Sequence, residues 1–152
     1  LYWIRISFNA ALKTTMEMNY VGYRFSNDLA LESEYPELAS SEVKAAWKSG
    51  KTDWKEQALV AAEYIIQDLR GMKDLIISPS QILDWTVFEK ASVHKVAEIA
   101  FRGMGDDYID QKTDAMINYK KALSVGKFNI DQDQDASLSE GEKTTNSAHG
   151  HR

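Results

Sequence analysis

The sequence predicts a mainly α fold: a three- or four-helix bundle with an extended, β-like N-terminal arm and an extended acidic C-terminal arm. Three observations lead there. Apolar residues recur at helical spacing through the middle of the chain, capping residues and glycines bracket each run, and the C-terminal stretch is almost devoid of apolar side chains. The 152 residues, 43% hydrophobic and 27% charged, suffice for one ordinary core and not for two. The expected divisions are an N-terminal arm and irregular segment over 1–39, a helical domain over 40–126, and an extended acidic arm over 127–152.

Residues 2–8 (YWIRISF) are aromatic and β-branched and partly alternating, which suits a strand. Alone, that strand exposes an unpaired edge, so it either folds back or is completed by another chain. Residues 9–36 carry weak signals, with Gly22 and Pro36 marking irregular structure. Ser40 is placed to cap a short helix, SEVKAAWKS, that Gly50 ends. Asp53 and Glu56 form a capping box before an apolar stripe at Leu59, Ala62, Ile65, Ile66 and Leu69, with Gly71 at the expected C-cap. MKDLIISPSQILDW reads as a loop, because Pro79 disfavours helix at Ser78. Thr86 and Glu89 form a second capping box before a helix over about 87–102 that is apolar nearly all round, hence central or between subunits. Gly103 and Gly105 break it. Asp106 then caps a last helix to about Ser124, with Ile109, Met116, Tyr119 and Leu123 spaced for one face and Gly126 as its stop.

Composition removes several function classes. With no cysteine there are no disulfides, thiol nucleophiles or Cys-ligated metals. The net charge is −5, of which residues 129–152 contribute −3, since five acids face only Lys143 and Arg152. The near-neutral remainder lacks the unpaired basic face of a nucleic-acid binder. No apolar run has the length of a membrane span, and the opening LYWIRISF, short and interrupted by Arg5, is not read as a secretory signal.

The stretch DQDQDASLSEGE, residues 131–142, has the spacing of a calcium loop, with ligand positions at Asp131, Asp133, Asp135, Ser137, Ser139 and Glu142. Ala136 stands where the loop's sharp turn needs glycine, and no amphipathic helix follows. The expectation is a solvated or partner-ordered acidic arm, with a calcium-binding helical module as the alternative. His94 and Glu98 lie four apart on the central helix, but no Glu-x-x-His from a facing helix joins them, so a surface or interface histidine beside a carboxylate is expected. His149 and His151 sit near the terminus without further ligands. There is no HExxH and no G-x-S-x-G, and RGMGDD lacks the GK[ST] of a phosphate loop. The chain is therefore expected not to be an enzyme and to hold no cofactor or metal. Its aromatics are expected to act by contact, Trp47 and Trp54 closing a corner around the turn GKTD, and Trp85 standing before a cap.

The order of parts, with a long helix over 53–70, a Ser-Pro loop, an apolar central helix and the closing phrase DAMINYKKALSVGKFNI, resembles the head–tail adaptor (connector, neck) proteins of tailed bacteriophages. The resemblance covers roughly residues 40–131. It implies a structural protein of the virion at the head–tail junction, assembled in the host cytoplasm as a ring of identical subunits. The ring would sit under the portal protein, meet a downstream neck or tail-terminator protein, and let DNA pass without sequence-specific binding or any membrane contact. In that reading Tyr119, Ala122 and Leu123 pack the last helix, Gly126 makes the turn, and Phe128 and Ile130 form a strand-like contact. Trp3, Phe8, Trp85 and Leu138 complete the expected partner-binding residues. A generic helical homo-oligomer fits the same pattern.

Overall fold

The computed structural model describes residues 23–73, 82 and 84–125, which are mainly helical with no strand among them. Five α-helices follow in order: α1 (Asp28–Glu34), α2 (Ser41–Trp47), α3 (Lys55–Lys73), α4 (Glu89–Gly103) and α5 (Ile109–Val125). Short 3-10 turns at Pro36–Ala39, Thr86–Phe88 and Asp106–Tyr108 lead from or into them. The expected strand at 2–8 and the acidic arm with its calcium-loop spacing lie outside the described residues.

Each start has a local cause. Asn27 accepts a hydrogen bond from the Ala30 amide at 2.9 Å and so caps α1, satisfying one of the free donors of its first turn. The Ser40 hydroxyl accepts from the amides of Glu42 and Val43 at 3.2 and 3.4 Å, capping α2 as its sequence predicts. Asp53 accepts from the Lys55 amide at 3.2 Å at the head of α3. Before α4, Thr86 does not act as a cap and is itself bound by Asp84. Its carboxylate takes both the amide and the hydroxyl of Thr86, at 3.0 and 2.7 Å, which sets the 3-10 turn from which α4 continues. Gly105 ends the α4 turn with φ 90°, a left-handed conformation open to glycine and costly for other residues.

Two adjoining apolar clusters fix how the long helices pack. One joins Ile65, Ile66 and Leu69 of α3 to Ala91 of α4 and Tyr119 and Leu123 of α5. The other joins Trp54, Ala58 and Ala61 at the start of α3 to Val96, Ala100 and Phe101 late in α4 and to Ala115 of α5. The end of α3 thus meets the beginning of α4, and the end of α4 meets the beginning of α5. Both neighbours run antiparallel to α4 and parallel to each other.

Residues 23–39 depart from the expectation of an irregular arm. Leu31 and Leu38 are fully buried in the second cluster, Phe25 packs in the first, and the Trp54 indole donates to the Leu38 carbonyl at 3.0 Å. Seven residues cannot sustain a helix alone, so α1 exists because Leu31 is seated in the cluster that α3 and α4 share. The helical body therefore begins well before residue 40. Gly71 differs too. It lies inside α3, which continues to Lys73, and it has no left-handed φ.

Trp47 and Trp54 close a corner as expected, edge to face with ring centres 5.9 Å apart. The Trp47 ring also covers Gly103 so closely that a methyl group there would overlap it. Two glycine substitutions should therefore act in opposite directions. Gly103→Ala, overpacked against Trp47, is expected to cost about 1–3 kcal/mol. Gly71→Ala, helical with open space around it, should gain roughly 0.5–1 kcal/mol. Urea midpoints at unchanged slope measure both, and a stabilising Gly103→Ala would refute the packing described here.

Candidate functional site

Helix α4 is enclosed on almost every side, and its polar residues are buried along with its apolar ones. Burying polar groups is unfavourable unless each finds a partner. The Ser92 hydroxyl pairs with that of Ser26 at 2.8 Å, and the His94 Nδ1 lies 2.8 Å from the Tyr35 hydroxyl. Lys95, 8% exposed, donates to Glu98 Oε2 at 2.8 Å, and Glu98, 4% exposed, also accepts from the half-exposed guanidinium of Arg102.

The last of these sets forms the floor of a cleft between α3 and α5. The Lys95 ammonium lies 4.5 Å from the ring centre of Tyr64 on α3 and 4.7 Å from that of Tyr119 on α5, so two aromatic faces and one carboxylate share its charge. The Tyr119 hydroxyl donates to Asp68 Oδ2 at 2.5 Å, tying α5 to α3 over the floor. The cleft holds about 460 Å³ and is lined by Asp68, Lys95, Glu98, Met116, Tyr119, Lys120 and Leu123. Tyr64 (37% exposed) and Met116 (36% exposed) stand on its two sides, with Val60 (43% exposed) one turn before Tyr64 on α3 and Ile109 two turns before Met116 on α5.

These groups are paired with one another. Tyr119 is pushed well above the ordinary tyrosine range by burial first, then by its bond to Asp68 and the nearby carboxylates of Asp68 and Glu98. It stays protonated as a donor. Lys95 and Glu98 neutralise each other, so the cleft offers apolar surface over a closed ionic floor. Among the described residues no group of three His, Asp or Glu side chains gathers to hold a metal ion, and no helix is long and apolar enough to cross a membrane.

His94, expected as a surface or interface histidine beside the Glu98 carboxylate, engages Tyr35 instead, and Glu98 engages Lys95 and Arg102. Neither is a surface group, because Tyr35, Tyr64 and Tyr119 cover that face of α4. Trp85, expected to bind a partner, is half-buried against Phe25 and Tyr23, with ring centres 5.1 and 5.5 Å away, and so helps close the first cluster. Trp3, Phe8, Phe128, Ile130 and Leu138 lie outside the described residues. The Lys95–Glu98–Arg102 ladder was visible in sequence only as charges at helical spacing, and nothing local announces the two tyrosines that bury it. Comparison of the chain with protein-family models, curated proteins and solved structures finds no match.

Removing one partner from a buried ion pair leaves the other charge stranded. Glu98→Leu is expected to destabilise by about 3–5 kcal/mol, whereas the double variant Lys95→Met/Glu98→Leu should recover most of that loss. Chemical denaturation measures both, and equal losses in the two would contradict the pairing. Alkali gives a second check. Tyr35 is pushed up to about 12, chiefly by burial, and Tyr119 is raised as well. The unfolded chain releases these protons near the ordinary tyrosine pKa of about 10. Stability should be intact below that pH and fall as pH rises through the folded values. Tyr119→Phe should flatten the fall in a denaturation series from pH 8 to 12 (about two units either side of that pKa).

Proposed function

We propose that this chain works by assembly, as a ring-forming structural subunit of the phage head–tail adaptor kind that joins the portal to the neck or tail and lets DNA pass. The observation that carries the reading is the cleft, with apolar side chains of two helices standing exposed over charges already satisfied from within. Such a surface has little to give a reacting substrate and much to give a protein neighbour. Apolar area removed from water there contributes roughly 25 cal/mol per Å², and the paired floor adds no unpaired charge to desolvate. In this reading the helices form the bundle, and the segments before Tyr23 and after Val125 serve as its arms, reaching the portal or the next ring.

The test is to mix the purified chain with the portal protein from the same source and follow association by sedimentation and electron microscopy. Rings seated on the portal are expected. Met116→Glu should weaken association at least about ten-fold, as loss of a central apolar anchor does, while the melting transition barely moves. Tyr64→Glu should weaken association and lower stability as well, because its ring also covers Lys95. Self-association without portal affinity would point to a generic homo-oligomer, and a chain that stays monomeric with every neck component would overturn the proposal.

A further inference from the structure

We propose that protonation of His94 unlatches α1 and its following 3-10 turn from α4, making the seating of residues 28–39 pH-sensitive. The proposal stands apart from the assembly reading. Tyr35 is the joint of the segment: its amide donates to the Leu31 carbonyl at 2.8 Å and ends α1, and its carbonyl accepts from the Leu38 amide at 3.0 Å and starts the turn. Its side chain reaches into α4, where the hydroxyl meets His94 Nδ1 at 2.8 Å and the ring stands edge-on to those of His94 and Phe101, 5.9 and 5.8 Å away. His94 is 3% exposed.

Asn118 of α5 lies close enough to the Tyr35 oxygen to favour its ionised form. In the tautomer of the neutral imidazole whose Nδ1 carries no proton, the phenol donates and Nδ1 accepts. A proton added at Nδ1 turns the acceptor into a donor, forces the Tyr35 hydroxyl to reorient and buries a positive charge. The charged groups around the ring do little to compensate. Glu34 on α1 attracts an imidazolium and Lys90 on α4 repels it, while Glu98 is committed to Lys95 and Arg102. Glu37 and Asp114 lie near Tyr35, where they resist ionisation of its hydroxyl.

Burial is the leading influence on His94 and holds its pKa below the ordinary value. The latch is therefore at full strength above the usual histidine range of about 6.5 and weakens as pH falls from there through the lowered value. The weakening should fall on the element with least to hold it. The short α1 rests on Leu31, on the Asp28 carboxylate that accepts from the Trp54 amide at 3.2 Å, and on the 2.6 Å ion pair from Glu32 to Lys44, whereas α3 and α5 share the main clusters.

NMR of the full chain, titrated downward from pH 8 to 4.5 (about two units below the ordinary histidine pKa), follows the His94 ring protons and the amides of α1, α3 and α5 together. The amides of 28–39 are expected to titrate with the His94 ring, and their corrected exchange rates to rise about ten-fold relative to α3 and α5 for each unit by which the pKa is lowered. His94→Gln should flatten that response. Tyr35→Phe, which keeps the ring packing, should bring the pH 8 exchange of α1 close to the low-pH rate of the parent chain. The proposal fails if the His94 ring titrates without any change in α1, if α1, α3 and α5 loosen together, if a folded His94→Gln keeps the response, or if Tyr35→Phe leaves α1 exchange at pH 8 unchanged.

Discussion

The fold depends on the near-complete enclosure of the middle of α4. A helix buried on its apolar stripe alone needs only neighbours of the right shape. One that also buries a serine, a histidine, a lysine and a glutamate needs neighbours whose polar groups arrive at the right places. Ser26 answers Ser92, Tyr35 answers His94, and Tyr64 and Tyr119 flank the Lys95–Glu98 pair. Each answer comes from a different stretch of chain, so the polar contacts fix which segment packs where. A slide of α5 by one helical turn would keep much of the apolar contact and break the Tyr119–Asp68 bond and the ring over Lys95. Apolar burial supplies most of the stability, and the polar partners supply the register.

The same constraint shapes the surface. Of the two tyrosines over Lys95, Tyr119 is buried and Tyr64 is not, so Tyr64 and Met116 remain at the edges of the cleft. An exposed apolar side chain alone has no special meaning, but Tyr64 and Met116, on two helices either side of one cleft, present a neighbour with a defined shape. Structure and proposed role connect there: the enclosure that orders α4 creates a stiff surface suited to contact.

Much of this was legible in the chain. The Ser40 cap, the α3 stripe, the glycines after α4 and the near-continuous apolar character of α4 all act locally, and each gave its element or its central place. What sequence reasoning missed was non-local. Residues 28–34 carry few apolar side chains, and only the seating of Leu31 makes a helix of them, although Asn27 followed by Asp28 was an available start signal. Thr86 looked like a cap because its spacing to Glu89 was right, yet Asp84, two residues earlier, offers a charged acceptor to both the amide and the hydroxyl of Thr86. The burial of Lys95 and Glu98 was not read from the sequence, since nothing within their helix reveals tyrosines thirty residues before and twenty-odd after. Spacing within a helix tells which residues share a face; what covers that face is decided elsewhere in the chain.

Native-state hydrogen exchange, read helix by helix near neutral pH, tests the enclosure of α4 most directly. If α4 is held on all sides by partners from separate segments, its central amides from Val93 to Ala100 open only when the whole domain unfolds. Their opening free energies should then equal the global stability, and α1 should open below it. Amides of α4 that exchange faster than those of α3 or α5, or through a separate local opening, would contradict the account.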